Sequence, residues 1–273
     1  MKISASIVLY HNDKLLLEKA IFSFLNTRLK VKLYLIDNSQ TDELKYLKTL
    51  DDRIEYSFNG KNLGFGMAHN VALQKSIDKK VPYHLVLNPD VHYDRGVIEE
   101  LIEYMDKNHD VANVMPKVYY PNGELQYLCK ILPTPMELIV RRFMPFSNVV
   151  ENINKKFELH SFGYDKEINI PYLSGCFMLL RVSHLKDVGL FDEHIFLHME
   201  DLDLNRRLHM KYRTIFYPHT SIVHLHSKES YKRIDQLLLH IKSTIYYFNK
   251  WGWFFDSTRK KVNKKIFLEI LKK

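Results

Sequence analysis

Carboxylates are concentrated in one short stretch of the second half of the sequence. Asp192 and Glu193 are followed by Glu200, Asp201 and Asp203. On a helix that begins near Glu200, the first turn favours acidic side chains through the helix dipole, so these residues need no further role. The preceding residues are largely apolar, however, so the carboxylates should lie against a core. One of them could then act as a general base.

Two predicted strands end in acidic, turn-forming residues. Asp37, Asn38 and Ser39 follow one strand, and Asn88 and Asp90 follow another. Ligands of open parallel sheets bind beyond the carboxyl ends of the strands. A carboxylate there can accept a hydrogen bond from a ribose or base, or bind a cation, although Asp and Asn also form plain turns. Two such ends in consecutive units favour a ligand site.

Two further motifs are weaker on their own. The turn at 62–70 contains Gly64 and Gly66, which let the backbone approach a ligand before a helix whose N-terminus favours phosphate. It matches neither the P-loop nor the dinucleotide fingerprint, so a structural turn is equally consistent. His224 and His226 end a strand, and at this spacing they point to opposite faces, so at most one can bind a given metal.

The first half of the chain alternates strand and helix signals, which favours a parallel sheet with helices on both faces. Strands are predicted over 3–10, 31–36, 53–58 and 83–87, and helices over 14–25, 42–50, 67–77 and 96–105. In the second half, strands are predicted over 111–120, 168–181 and 214–225, helices over 200–210 and 230–251, and an irregular, proline-containing segment over 132–165. We expect one α/β domain over 1–228 and a helical, basic and aromatic extension over 229–273.

Composition sets outer limits on the function. The chain has 273 residues, is 46% hydrophobic and carries a net charge of +8. It has no run of about 18 apolar residues and no signal-peptide pattern, so neither a membrane span nor secretion is expected. Cys129 and Cys176 lie far apart, which suggests a reducing, cytoplasmic compartment. The positive charge is compatible with nucleic acid, anionic lipid or phosphate-bearing substrates.

Taken in order, these motifs resemble bacterial family 2 glycosyltransferases of the GT-A fold, especially rhamnosyltransferase-like members. The matching segments are Ser6–Tyr10, Ile36–Ser39, Asn62–Gly66 with Asn70, Leu87–Asp90, Leu173–Phe177, Gly189–Glu193, Glu200–Leu204 with Arg207, and His224 with Ser230. The resemblance implies an α/β fold with a Rossmann-like, mostly parallel sheet flanked by helices.

The resemblance also implies roles for individual residues. Asp201 would be the general base, with Glu200 beside it, and Asp90 would hold Mg²⁺ or Mn²⁺, with His224 as an extra ligand. Asn88 replaces the first acid of the usual acidic motif. The implied nucleotide-binding residues are Tyr10, Asp37, Asn38, Asn62, Gly64, Asn70 and Asn88. Those implied to meet the acceptor or a phosphate are Arg207, Asp203, Ser174 and Gly175.

The implied reaction is an inverting, metal-dependent sugar transfer from a nucleotide sugar to a saccharide acceptor. Asp201 takes the proton of an acceptor hydroxyl, which attacks the anomeric carbon while the metal stabilises the departing diphosphate. Resemblance favours dTDP-rhamnose as donor, although UDP-galactose would use the same framework. The expected acceptor is lipid-linked, in surface polysaccharide (including lipopolysaccharide) synthesis.

The C-terminal segment suggests where that acceptor lies. The aromatic run Tyr246–Phe255 is followed by lysines, a composition suited to an anionic membrane surface, which would place the enzyme peripherally on the inner face of the cytoplasmic membrane. The alternative is a terminal helix packed on the protein's own core.

Three other classes are less consistent with the sequence. A basic nucleic-acid-binding protein fits the net charge, but the acidic motifs lie where a groove for nucleic acid would need cations, so no nucleic acid is expected. A nucleotidyltransferase would need a glycine-rich, basic loop after the first strand, where Tyr10–Asp13 stands instead. A non-catalytic relative is disfavoured because Asp90, Asp201 and His224 are retained.

Overall fold

The computed structural model describes residues 1–143, 148–225 and 234–271. Its strands are β1 (Ile3–Leu9), β2 (Val31–Asp37), β3 (Ile54–Phe58), β4 (Tyr83–Leu87), β5 (Val91–His92), β6 (Val111–Tyr119), β7 (Cys129–Lys130), β8 (Ile168–Asn169), β9 (Tyr172–Leu173), β10 (Phe177–Arg181) and β11 (Arg213–His224). Its helices are α1 (Lys14–Leu25), α2 (Phe65–Asp78), α3 (Val97–Lys107), α4 (Pro135–Phe143), α5 (Asn148–Phe157), α6 (Val182–Val188), α7 (Glu200–His209), α8 (Ile234–Trp251) and α9 (Ser257–Leu271). Short 3₁₀ helices span Glu43–Thr49 and His160–Phe162.

The central sheet has the strand order β3-β2-β1-β4-β10-β6-β11-β5, with β8 added on β11. Strands β3, β2, β1 and β4 run parallel, and β10 runs antiparallel to both of its neighbours, β4 and β6. The carboxyl ends of β2, β1 and β4 therefore meet at one edge, where β10 begins. The predicted α/β fold with a mostly parallel sheet flanked by helices is confirmed.

Burial of the strands explains why the sheet forms. β4 is buried along its whole length, and β1 along nearly all of it, because helices cover both faces of the parallel half. Ser4 and Ser6 of β1 are also buried, and they satisfy their hydroxyls within a polar cluster. In it, Ser6 Oγ lies 2.7 Å from His69 Nδ1 and 2.8 Å from His84 Nε2.

The second half differs from the prediction in several places, and it adds β7 and α6, which were not predicted. The segment predicted to be irregular contains α4 and α5. Pro135 begins α4 rather than interrupting it, since proline is well tolerated in the first turn of a helix. The single strand predicted over 168–181 is three short strands, β8, β9 and β10, because the chain turns at 174–176. His226 and Ser230, and the first residues of the predicted helix over 230–251, lie outside the described residues.

The two C-terminal helices pack against α7. Tyr247 and Phe248 of α8 are fully buried, and Asp256 forms two 2.8 Å hydrogen bonds with the buried guanidinium of Arg206. Phe254 and Phe255, between α8 and α9, are by contrast 74% and 94% exposed. No helix within the described residues is long and apolar enough to cross a bilayer.

Candidate active site

The turn at 174–176 joins the acidic motifs that are distant in sequence. The amide of Asn88, just after β4, donates to the carbonyl oxygen of Cys176 (2.9 Å). The amide of Gly175 donates to Oδ2 of Asp201 in the first turn of α7 (2.9 Å). The end of β4 and the start of α7 therefore meet at this turn.

Asp201 is held by backbone amides. Oδ2 accepts from Gly175, and Oδ1 accepts from the amide of Leu202 (2.8 Å). A Cβ added at Gly175 would lie 3.0 Å from Asp201 Cβ, so glycine permits this close approach. Burial raises the pKa of Asp201, and the Lys130 ammonium and these amides oppose that rise. The result is a carboxylate with fixed geometry and increased basicity.

Glu200, its neighbour, is more deeply buried than Asp201. The residue is only 5% exposed, and its Oε2 atom has no hydrogen-bond partner among the described residues. Burial raises the pKa of Glu200 well above its usual range, and the negative charge of Asp201 adds to this effect. When the pKa values of two adjacent carboxyls differ in this way, one carboxyl is protonated and the other is ionised. We assign the proton to Glu200.

Strained backbone sets the start of α7. His198 and Met199 have φ values of 65° and 71°, in the left-handed region that non-glycine residues rarely adopt. The preceding Phe196 carbonyl accepts from the amide of Phe65 (3.1 Å), at the start of α2. Gly64 also has a positive φ of 81°, and a Cβ on it would lie 2.2 Å from the Phe196 oxygen. The loop that delivers Glu200 and Asp201 is thus fixed against the glycine turn.

The ammonium group of Lys130 places a positive charge near the candidate base. It lies on β7, which pairs with β9 immediately before the turn at 174–176. Its Nζ atom is 4.9 Å from the ring centroid of Tyr172. Burial lowers the pKa of Lys130, and the charge of Asp201 works against that decrease. Lys130 therefore acts electrostatically on the candidate base.

Asp90 and His224 lie side by side because β5 pairs with β11, with Val91 opposite His224. Asp90 Oδ1 is 3.5 Å from His224 Nε2. Neighbouring ligands of one octahedral ion with bonds of about 2.1 Å are roughly 3 Å apart, so this spacing fits a shared divalent cation. Burial opposes protonation of His224, but contacts with Cys176 and Asp90 overcome it and raise its pKa to about 10. The pair thus attracts positive charge.

The pair alone does not make a complete protein cage. Among the described residues, no group of three or more His, Cys, Asp or Glu side chains could hold an ion. Cations that act on diphosphates are commonly bound by one or two protein ligands plus phosphate oxygens and water. The residues present fit an ion of that kind.

The residues assigned to the nucleotide surround the ends of β1, β2 and β4. Tyr10 is 46% exposed, whereas Asp37 is fully buried. The Asp37 oxygens accept from the Tyr56 hydroxyl (2.5 Å) and the Ser39 amide (2.8 Å). Asp37 therefore fixes the turn after β2 as it stands, and Tyr10 and Asn88 are more accessible.

Asn38, Asn62 and Gly64 belong to one hydrogen-bonded turn. The Asn38 side-chain Nδ2 donates to Asn62 Oδ1 (3.2 Å) and to the Gly64 carbonyl (3.1 Å), and the Gly64 backbone amide donates to Asn62 Oδ1 (2.9 Å). These contacts shape the glycine turn beside the candidate base.

Three further assignments fit the contacts poorly. The Asn70 side chain exchanges hydrogen bonds with the backbone of Phe191 (2.9 and 3.0 Å), so it supports a loop instead of facing a nucleotide. Arg207 donates to Asp203 Oδ2 (2.8 Å) and to the carbonyls of Val188 and Leu190. Asp203 is fully buried and also accepts from Trp251 Nε1 (2.8 Å). These contacts give all three residues a structural role, and the assignment of Asn70 to the nucleotide and of Arg207 and Asp203 to the acceptor or a phosphate stays a prediction.

Of the remaining residues assigned to the acceptor, Gly175 contacts Asp201 and Ser174 lies next to it in the same turn. Ser174 Oγ is 3.4 Å from the Cys176 amide, and the residue is partly exposed. Sequence reasoning missed Lys130 and Gln126, which contacts His224 (3.0 Å). A lone lysine among apolar neighbours at 128–132 was a usable signal for Lys130. Gln126 gave none.

Comparison with known proteins finds a matching family and curated relatives. The family model described as glycosyl transferase family 2 matches residues 6–189. The match includes Asp37 and Asp90 but ends before Asp201 and His224. The N-acetylglucosaminyl-diphospho-decaprenol L-rhamnosyltransferases of two Mycobacterium tuberculosis strains are each 27% identical over 236 residues, which is 81% of this chain and 75% of the relative.

Solved structures share the fold at low sequence identity. GalNAc-T7, crystallised with UDP, GalNAc and Mn²⁺, has a TM-score of 0.61 and 16% identity over 82% of this chain. S. aureus TarS has a TM-score of 0.60 and 15% identity over 99% of this chain. This chain spans only 43% of each of those two proteins.

Proposed function

Because this chain belongs to glycosyltransferase family 2, a match that covers residues 6–189, we propose that it is an inverting enzyme that transfers one sugar from a nucleotide-sugar donor. The observation that carries the proposal is the setting of Asp201, a carboxylate held by the Gly175 amide at the junction with the Asn88–Asp90 turn. A single base in such a site can activate an acceptor hydroxyl for direct displacement, which needs no covalent enzyme intermediate.

In this mechanism, Asp201 accepts the proton of the acceptor hydroxyl as that oxygen attacks the anomeric carbon from the face opposite the diphosphate. Glu200 stays neutral, so it does not compete for the proton and does not repel the developing charge. Lys130 keeps Asp201 ionised until the acceptor arrives. Ser174 and Gly175, in the turn beside Asp201, are proposed to border the acceptor.

We further propose that Asp90 and His224 hold Mg²⁺ or Mn²⁺. The cation would neutralise the charge that develops on the nucleoside diphosphate leaving group. An imidazole ligand beside a carboxylate suits Mn²⁺ better than Mg²⁺, which prefers oxygen. The crystal structure of GalNAc-T7, which shares the fold, contains Mn²⁺ and UDP, and this is consistent with a divalent cation in the proposed reaction.

The donor and acceptor are proposed from the curated relatives. Their name describes transfer of L-rhamnose to an N-acetylglucosaminyl-diphospho-decaprenol. By analogy we propose dTDP-rhamnose as donor and a lipid-diphosphate-linked saccharide as acceptor, in surface polysaccharide synthesis. UDP-galactose is the alternative donor. Turnover of each by the purified enzyme, with Mn²⁺ or Mg²⁺ added and removed, decides between them.

A lipid-linked acceptor would require the enzyme to reach a membrane surface. The side chains that best suit this contact are the exposed Phe254 and Phe255. They directly precede α9, on which Lys260, Lys261, Lys264 and Lys265 are exposed. Aromatic rings at the headgroup level, with lysines near anionic lipid, are typical of peripheral binding. We propose this segment as the membrane contact, on the inner face of the cytoplasmic membrane.

The central test compares isosteric changes at the two adjacent carboxyls. Asp201→Asn removes the base, and general base catalysis contributes about 10²–10⁴-fold, so kcat should fall by that order while nucleotide affinity is retained. Glu200→Gln replaces an already neutral acid with an amide of the same shape, so kcat should change little. Normal turnover by Asp201→Asn would refute the assignment.

A further inference from the structure

Gln126 contacts the same histidine twice. Its Nε2 atom donates to the carbonyl oxygen of His224 (2.6 Å), and its Oε1 atom lies 3.0 Å from Nδ1 of the His224 ring. Nε2 also lies 3.4 Å from the carbonyl oxygen of Tyr119. Gln126 is only 2% exposed, so water does not compete for these contacts.

These contacts determine the tautomer of neutral His224. Carbonyl oxygens only accept hydrogen bonds, so the end of the Gln126 amide that faces His224 O and Tyr119 O must be the NH₂ group. Oε1 therefore faces the ring, and because it can only accept, Nδ1 must carry the hydrogen. The lone pair lies on Nε2, the nitrogen 3.5 Å from Asp90 Oδ1.

We infer that Gln126 is a positioning residue that presents Nε2 of His224 to the cation shared with Asp90, an inference that rests on the proposed function. With Nδ1–H bound to Gln126, Nε2 is the ring nitrogen that faces Asp90, so a proton or a metal cation on Nε2 lies between the ring and the carboxylate. In metal sites, a histidine commonly donates its other N–H to a fixed acceptor, which sets both the tautomer and the ring orientation. Gln126 supplies that acceptor from a segment 98 residues away in sequence.

The test measures Mn²⁺ affinity by electron paramagnetic resonance, in the presence of the nucleoside diphosphate, dTDP or UDP, that most stabilises the wild-type protein. Gln126→Met keeps the length of the side chain but removes the acceptor, so affinity should fall about 10–100-fold. Gln126→Glu keeps an acceptor for Nδ1–H and, when protonated, a donor to the His224 carbonyl, so its Mn²⁺ affinity should lie above that of Gln126→Met. Thermal unfolding of each variant checks the fold, and Gln126→Asn, which is too short for both contacts, replaces Gln126→Met if that variant does not fold.

Combination with His224→Ala separates positioning from a general structural effect. In the His224→Ala background, Gln126→Met should cause no further loss of Mn²⁺ affinity, because the group it positions is gone. Equal Mn²⁺ affinity of Gln126→Met and wild type overturns this inference alone, as does an additional loss in the double variant. A wild-type protein that binds no Mn²⁺ with either nucleotide overturns the proposed metal site and this inference together.

Discussion

At the scale of single residues, the candidate site depends on two adjacent carboxyls with opposite protonation states. Glu200 has an oxygen without a hydrogen-bond partner among the described residues, whereas both Asp201 oxygens accept from backbone amides. Hydrogen bonds to a carboxylate stabilise its charged form, and burial without them stabilises the neutral acid. One residue can therefore serve as base while its neighbour stays uncharged.

Lys130 should set the pH range in which Asp201 works. Its ammonium opposes the rise in the pKa of Asp201, so Lys130→Met should raise that pKa further. The base would then lose its proton only at higher pH, and the acidic limb of the pH–kcat profile should move to higher pH. Lys130→Arg keeps the charge and should leave the limb near its wild-type position. An unchanged profile in Lys130→Met would show that Lys130 does not influence the base.

The sequence reveals site residues when their type is unusual for their position, and not otherwise. Asp37, Asp90 and Asp201 stand at strand ends or at a helix start after apolar runs, where a carboxylate is conspicuous. Gln126 is an ordinary polar residue in a turn-rich stretch, and its importance comes only from a contact with His224. Arg207 was expected to orient the neighbouring carboxylates or to meet the acceptor or a phosphate. It pairs with Asp203, but nothing in the sequence indicated that its guanidinium would also donate to three backbone carbonyls.

At the scale of elements, α7 carries the base and is fixed by the C-terminal segment. Arg206 donates from one nitrogen to both oxygens of Asp256, and from another to the Tyr247 hydroxyl (3.1 Å). The side chains of Arg206 and Asp256 are each only 2% exposed. A buried ion pair of this kind makes the position of α7 depend on residues more than 40 positions later.

Asp256→Asn should therefore destabilise the protein strongly. It leaves the guanidinium of Arg206 buried without its counter-charge, and breaking a buried pair typically costs about 3–5 kcal/mol. Denaturant unfolding followed by tryptophan fluorescence measures the loss. As a control, Glu103→Gln breaks the exposed pair between Glu103 and Lys107 and should have little effect. Equal stability of the two variants would contradict a structural role for the buried pair.

The same elements show what could be predicted from periodicity. The strands and helices of the first half have strong apolar patterns and are confirmed with small shifts in their bounds, except that the helix predicted over 42–50 is a 3₁₀ helix and β5 was not predicted. α4 and α5 were missed because prolines at 133, 135 and 145 suggested a loop, although Pro135 lies in the first turn of α4. The break at 174–176 was missed because the apolar residues on either side suggested one strand, although Pro171 and Gly175 are poor strand residues. Contacts with Asp201 and Asn88 fix the turn.

At the scale of the whole molecule, stability should depend on the buried histidines His69 and His84. Burial lowers the pKa of His84 to about 3 and that of His69 well below its usual value. The unfolded chain binds protons near pH 6.5, whereas the folded protein does not, so stability is complete above that pH and falls as pH decreases. Each histidine should contribute a slope of about 1.4 kcal/mol per pH unit below pH 6.

Unfolding free energies measured from pH 7 to pH 4 test this dependence. His84→Asn cannot take up a proton, so the slope should become shallower in that variant even if its stability at pH 7 is lower. His109→Asn alters an exposed histidine and should keep the wild-type slope. Parallel curves for wild type and His84→Asn would show that His84 is not the source of the pH dependence.

The packing of the C-terminal segment also decides how membrane binding should be tested. Deletion of 246–273 would remove Tyr247, Phe248 and Asp256, which pack on or pair with α7, so loss of binding could reflect unfolding. Phe254→Ser with Phe255→Ser removes only exposed rings and should leave thermal stability nearly unchanged.

Flotation with phosphatidylglycerol vesicles should show binding by the wild type and several-fold weaker binding by this double variant, because the apolar contribution to interfacial binding is lost. Leu15→Ser, at a residue 72% exposed on α1, is the matched control and should float like the wild type. Binding to neutral phosphatidylcholine vesicles should be weaker for all three proteins, because the α9 lysines then have no anionic partner. Equal flotation of wild type and the double variant would mean that this segment does not contact the membrane.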